Sequence, residues 1–311
     1  MLRGLFYSYL QRMEKSKDKI SIIELEGFSL IYSKTSHLDA LPFEIHRQDQ
    51  CIRLHFGMWG DYKFEHFQLE KTFDLVGGHH NLMYSDGFSM KVSPKTPVIE
   101  TYGVHFEKDY FLDLTKDAKG SLLRFRKSIL ENNPCIISQD WPGINGPLHR
   151  ALIQAIHKPA SGFTNQLFLK GKMLEIFSMV LDDYSNLEKG ESVLKTMKDR
   201  EKIIQARNLL IQNFQEPPSI AGLSRTVAVN EFKLKKGFKE VFGKSIIAYL
   251  NDYKMELAIQ KVEHTEESLA AIADELGFSS PQHFSAAFKK QYGIAPSFVR
   301  KTSEGVSSIS N

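Results

Sequence analysis

From about Ile20 to Leu114, apolar and polar positions tend to alternate. Cys51-Ile-Arg-Leu-His-Phe56 does so in part, and Tyr62-Lys-Phe-Glu-His-Phe67 alternates polar with aromatic residues. Turn signals at Gly60-Asp61, Gly77-Gly78, Asp86-Gly87 and Pro94-Lys95 punctuate the stretch. A period of two places successive side chains on opposite faces of a strand, and turns at this spacing predict an antiparallel sandwich or barrel. After Phe111 the apolar period lengthens to three and four. Leu122, Phe125 and Ile129 share one predicted helix face, and Leu148, Leu152 and Ile156 share another. A third segment, about Asn165 to Tyr184, carries Leu167, Leu174, Phe177, Val180 and Leu181. So broad an apolar face fits packing on the barrel or on the same helix of a second subunit. The polar run Ser185–Ser192 marks a linker, and the chain beyond it is helical, with loops at Glu216-Pro217-Pro218 and Gly277-Phe278.

The fold class expected is α+β with two domains: an N-terminal β-barrel or sandwich with helices, and a C-terminal all-α domain. The boundaries expected are 1–186, a linker over 187–195, and 196–302. A length of 311 residues agrees with about two domains, and 42% hydrophobic with 25% charged residues describes a globular chain. No apolar run approaches the roughly 20 residues of a membrane span. Met1-Leu2-Arg3-Gly4-Leu5-Phe6 is interrupted by charge too early for a signal peptide, so a cytoplasmic location is the expectation. Cys51 and Cys135 have no CxxC or Cys/His zinc spacing and read as reduced, mostly buried thiols.

The C-terminal part repeats itself. Phe238-Lys239 and Gly243 match Phe288-Lys289 and Gly293 at an offset of 50, while Ile220, Leu223 and Val229 match Leu269, Ile272 and Phe278 at an offset of 49. The one-residue slip falls where a turn absorbs it. Each copy reads as short helix, tight turn, longer helix: about 220–241 and about 269–291. Ser219 and Ser268 are placed to cap the first helices, Asn230 and Ser280 the second. Gly277 suits a left-handed turn, and Ala228 stands in that place in the first copy at some backbone cost. Leu234 with Phe238, and Phe284 with Phe288, lie four apart and face inward. A helix from about Ser245 to Val262, with Ile246, Leu250, Tyr253 and Leu257 as its apolar stripe, joins the two and sets their separation, about one DNA turn of roughly 34 Å.

The net charge of +3 says less than its distribution. Arg225 to Lys244 holds six basic and two acidic residues, and Ser279 to Lys301 holds four basic and none acidic. Between them, Glu263 to Glu275 holds five acidic residues and no basic one. Positive charge concentrated on two helix-turn-helix units is what phosphate binding requires.

On these residues the chain resembles the AraC/XylS family of transcription regulators. The resemblance covers roughly Ile203 to Lys301 and includes the Ile272-Ala273 and Gly277-Phe278 pairs and the ending Gly293-Ile-Ala-Pro296-Ser-Phe-Val-Arg300. Ser224, Ala228 and Lys254 depart from the family's usual Ala, Gly and Arg. Asn230 to Gly243 and His283 to Lys289 look most like the pyochelin-type branch that responds to iron siderophores. The resemblance implies an N-terminal cupin-like effector and dimerisation domain. It implies double-stranded DNA, RNA polymerase and a small-molecule effector such as a ferric siderophore as partners, a homodimer, and activation of transcription. It implies base reading by Phe232, Lys235, Lys236, Gln282 and Ser285, with Ala286 beside them. It implies backbone contacts by Lys233, Lys239, His283, Lys289 and Arg300. Core packing remains the other reading of Phe232, and a covering role the other reading of His283.

Other classes stay open. His46, His55, His66, His79, His80 and His105 lie in the strand region, but they form no metal-binding spacing, and His79 and His80 must point opposite ways on one strand. Neither cysteine has the neighbours of an activated thiolate. No enzyme, metal or cofactor is therefore expected. An architectural DNA-binding protein without effector control is the main alternative. Trp59, Tyr62, Phe64, Tyr84 and Tyr102 are candidates to line a pocket or to fill a core.

Overall fold

Strand pairing sorts the N-terminal residues into two antiparallel sheets, in a computed structural model that describes residues 19–36, 41–47, 50–156, 162–189, 193–194 and 196–300. The larger sheet runs β1 (Lys19–Leu25), β2 (Phe28–Ser36), β9 (Val98–Phe106), β4 (Cys51–Trp59), β7 (His79–Ser85) and β10 (Cys135–Ile136). The smaller runs β3 (Phe43–Arg47), β8 (Phe88–Pro94), β5 (Tyr62–His66) and β6 (Lys71–Leu75). The expected sandwich is therefore present; three of the four predicted turns fall between strands, and the fourth, Pro94-Lys95, lies at the end of β8.

The alternation in β4 is only partial because both of its faces are buried, as in other covered sheets. Ile52, Leu54 and Phe56 face helices, while Cys51, Arg53 and His55 face the smaller sheet and the space before it. The helices on the first side are α1 (Lys108–Leu114), α2 (Gly120–Leu130), α3 (Gly146–Ile156) and α4 (Phe163–Glu188). Their Phe111, Phe125, Ile129, Leu148, Leu152, Phe177 and Val180 join one core with Leu54, Phe56, Leu82 and Val104. Each such side chain stabilises the layer by roughly 1.5–3 kcal/mol when fully buried. On the opposite face Tyr62, Phe64, Met83, Phe88, Val92 and Trp141 form a second core between the sheets.

Four details differ from the sequence reading. Helix begins at Lys108, ahead of Phe111, in a segment too short to display a period. α4 continues through Glu188, so residues 185–188 of the expected linker are helical, while 190–192 and 195 lie outside the described residues. The two-residue strand β10 pairs with Met83 and Tyr84, a contact too short to leave a pattern. Of α4's apolar residues, Phe177 and Val180 are buried, while Leu167 and Leu174 stay exposed at 59% and 46%. The five aromatic candidates also divide. Tyr62 and Phe64 border the space between the sheets, Tyr84 and Tyr102 belong to the helix-facing core, and Trp59 is half-buried.

His79 and His80 do point opposite ways. His79 packs on Tyr62 and Trp141, whereas His80 meets Tyr184 and the Asp183 carboxylate (3.2 Å), fastening α4 to β7. Among the described residues, no three His, Cys, Asp or Glu side chains gather as a metal ion would need.

The second compact unit begins at Val193 and contains α5 (Met197–Gln212), α6 (Ile220–Thr226), α7 (Glu231–Phe242) as far as Lys239, α8 (Ile246–His264), α9 (Leu269–Glu275) and α10 (Pro281–Tyr292). α5 starts in a reciprocal cap in which Thr196 and Asp199 each accept the other's backbone N–H. The connecting helix α8 buries Ile246, Tyr249 and Leu250 in its first turns and Met255, Ala258 and Val262 later. Tyr253 and Leu257 of the expected stripe are only half-buried. The stripe rotates because the helix serves two separate packing partners: Arg207 of α5 meets Tyr249, and the core of α9 and α10 meets Met255 and Ala258.

Candidate nucleic-acid interface

Local chemistry builds the two helix-turn-helix units in the same way. The Ser219 and Ser268 hydroxyls accept the backbone N–H groups of Gly222 (3.0 Å) and Ala271 (3.1 Å), fixing where α6 and α9 begin. The turns that follow pass through left-handed backbone at Ala228 (φ +51°) and Gly277 (φ +68°). α7 and α10 are then capped by Asn230 and Ser280, which accept from Lys233 N (2.7 Å) and His283 N (3.2 Å).

A further shared device was not visible in the sequence. Lys202 of α5 donates to the carbonyl of Ala228 (2.8 Å), and Lys254 of α8 donates to that of Gly277 (3.3 Å). Each long helix thus holds the left-handed corner of the unit that follows it. Lys254 is buried against the Phe278 ring, and burial lowers its pKa. Leu234, Phe238, Phe284 and Phe288 are fully buried, so one face of each second helix is pinned and the other is presented outward. Gly237 lets α5 lie close to α7, since a Cβ there would come within 3.1 Å of Ile203.

The outward face of α7 holds Phe232, Lys235, Lys236 and Lys239, all exposed. Phe232 is 70% exposed, so it is not a core residue, and the Lys236 ammonium lies 6.0 Å from its ring centroid. Lys235 pairs with Glu231 one turn earlier (3.2 Å). Lys233 sits apart: it is half-buried and bonded to Asp199 at 2.6 Å, and that bond holds the Asp199 carboxyl below its usual pKa. On α10, Gln282, His283, Ala286 and Lys289 are exposed and Ser285 is half-buried. His283 Nδ1 hydrogen-bonds the Ser279 hydroxyl (2.6 Å), tying the ring to the turn. Arg300 follows α10 and is half-buried, with Nε and Nη2 enclosed and no hydrogen-bond partner among the described residues. Two exposed cations, Arg225 and Lys290, stand outside the sequence-derived set; their charge alone was the available signal.

Chemically, this arrangement offers two outward helices at which lysine can donate to guanine O6 and N7, glutamine can pair with adenine, and an apolar ring can meet a thymine methyl. The sequence family described as a helix-turn-helix domain matches residues 223–302. The regulatory protein PchR of Pseudomonas aeruginosa is 39% identical over 100 residues, 31% of this chain and 33% of that protein. A putative AraC-like transcription regulator of Streptomyces lividans is 34% identical over 83 residues, 27% of each chain. Residues 223–302 are an AraC-type helix-turn-helix domain. The chain thus matches 33% and 27% of the length of these two relatives. A solved AraC-type regulator structure from Chromobacterium violaceum is similar over 33% of this chain and 92% of its own, at 28% identity and a TM-score of 0.31. The AraC-type domain holds both outward helices and all the residues singled out on them.

Proposed function

We propose that this chain is a sequence-specific DNA-binding transcription regulator, acting as an activator, whose N-terminal unit takes a small-molecule effector. The observation that carries this reading is the pair of capped, outward-facing helices α7 and α10, held on one connector and bearing exposed Phe232, Lys236, Lys239, Gln282 and Lys289. Helices exposed in this way enter major grooves. Phe232, Lys235, Lys236, Gln282 and Ser285 are assigned to base edges. Lys239, His283 and Lys289 are assigned to phosphates, which position without specifying. Lys233 and Arg300 join them only with rearrangement, since Lys233 must leave Asp199 and Arg300 is enclosed.

The resemblance of Asn230 to Gly243 and of His283 to Lys289 to the pyochelin-type branch supports a ferric siderophore as the effector. The exposed row Phe163, Leu167 and Leu174 on α4 supports a homodimer through that helix. RNA polymerase is the partner an activator requires, and the cytoplasm is the compartment that holds it; among the described residues no helix is long and apolar enough to cross a membrane.

Binding sites selected from fragmented host DNA test the reading. Enrichment of one motif by the wild type, with one half altered for Lys235→Ala, is the expected result. A specific-to-nonspecific ratio well below about 10³ favours an unregulated architectural protein instead.

A further inference from the structure

We propose that Lys202 and Lys254 are positioning residues for base reading: each sets the angle at which one reading helix meets the groove, and so governs recognition in one half of the DNA site. The proposal rests on the sequence-specific reading above and names two residues that serve it without touching DNA.

Both lysines act at the same point of their units. Lys202 donates to the carbonyl of Ala228 (2.8 Å), and Lys254 donates to that of Gly277 (3.3 Å). These are the left-handed corners, two residues before the Asn230 cap of α7 and three before the Ser280 cap of α10. So short a stretch of backbone joins corner to cap that a corner which shifts carries the start of the reading helix with it.

Each lysine is part of a larger grip on the helix it serves. On α5, Lys202 and Ile203 follow Asp199 by three and four residues, so the three side chains share a face. Asp199 pairs with the Lys233 ammonium in the first turn of α7 (2.6 Å). Further along α7, a Cβ at Gly237 would stand 3.1 Å from Ile203 and 2.7 Å from Leu194. On α8, the Lys254 ammonium lies 5.5 Å from the centroid of the Phe278 ring. Phe278 meets Phe284 edge-on (5.5 Å), and Phe284 meets Phe288 in the same way (5.8 Å). The second grip thus runs from the lysine through three rings into the inward face of α10. Lys254 is only 7% exposed, and an ammonium buried so far is tolerated where a carbonyl and a ring face take its charge.

Base-edge hydrogen bonds are short and directional, whereas attraction to phosphates is tolerant of distance. A reading helix that tilts therefore loses base discrimination before it loses overall affinity. Removal of one brace should be felt only in the half of the site that its own helix reads, because the other unit keeps its own lysine.

Site selection with Lys202→Met and Lys254→Met, alongside the wild type and Lys235→Ala, tests this. Methionine keeps an unbranched stem and removes the donor. Lys202→Met should lose at least about fivefold of the discrimination against a mismatched base, in the half that Lys235→Ala alters. Lys254→Met should lower discrimination in the other half alone. For both, the slope of log affinity against log salt should match the wild type, whereas loss of a lysine that sits on a phosphate lowers it by about one. Lys202→Arg keeps a donor and should keep the half that methionine loses. Circular dichroism melts establish that each variant is folded at the assay temperature; if Lys254→Met is not, the two Lys202 variants still decide. Equal loss in both halves, no loss in a folded Lys202→Met, or a slope lowered by one would overturn the proposal. A wild type that selects no motif would overturn sequence-specific reading itself, so the two failures are distinguishable.

Discussion

The two helix-turn-helix units share a scaffold and differ in their surfaces. Both begin with a serine cap, pass a left-handed corner, and brace that corner with a lysine from the preceding long helix. Both pin the second helix with two fully buried large residues four apart. The outward faces are not alike. α7 presents Phe232, Lys235 and Lys236, whereas α10 presents Gln282 and Ala286 beside a half-buried Ser285. The two units share what positions the second helix and differ in what that helix presents. On this view the first unit reads bases with long donors and an aromatic ring, and the second contributes more through phosphates and DNA shape.

The largest expected effect tests whether the scaffolds are equivalent. Phe238→Ala and Phe288→Ala each remove a fully buried ring, at a cost of about 3–5 kcal/mol, and both should lower the urea midpoint to a similar degree. A loss under about 1 kcal/mol for either would mean that its unit repacks and is not held like the other. The next effect tests whether the surfaces are unequal. Lys236→Ala should cost about 1–3 kcal/mol of DNA affinity and relax one position of the selected site. Ser285→Ala should change affinity by less. A larger loss at Ser285 would reverse the division of labour. Lys289→Ala should weaken all sequences evenly and reduce the slope of log affinity against log salt by about one.

How much of this was legible depended on the range of the contacts involved. The caps and corners lie within four residues of the groups they serve, so Ser219, Asn230, Ser268, Ser280 and Gly277 could be read from spacing alone. The inward faces of α7 and α10 were legible for the same reason. The exposure of Phe232 was not, because an aromatic ring at a helix start fits a core equally well. The braces Lys202 to Ala228 and Lys254 to Gly277 join residues more than twenty positions apart. The space between the two sheets is further still from local pattern: the aromatic spacing that suggested a pocket gave Tyr62 and Phe64 to it and Tyr84 to another core. The rotated stripe of α8 reflects two packing partners on one helix, which a single period cannot express.

The smallest effect probes the one place where the first scaffold carries a local cost that the second avoids. Ala228 holds a φ of +51°, a conformation that costs a residue with a Cβ roughly 1–2 kcal/mol. Glycine relieves that strain but adds about 0.5–1 kcal/mol of chain entropy in the unfolded state. Ala228 is exposed, so losing its methyl leaves no cavity. Ala228→Gly should therefore stabilise the AraC-type domain by about 0.5–1 kcal/mol, read as a rise in the urea midpoint with an unchanged slope. The reverse change at the matching corner should go the other way for two reasons. Gly277→Ala places a Cβ at φ +68°, and that Cβ would stand 2.6 Å from the carbonyl oxygen of Gln215. If Ala228→Gly is neutral or destabilising while Gly277→Ala is tolerated, the two corners are not held by the same physics, and the scaffold equivalence fails where it is most local.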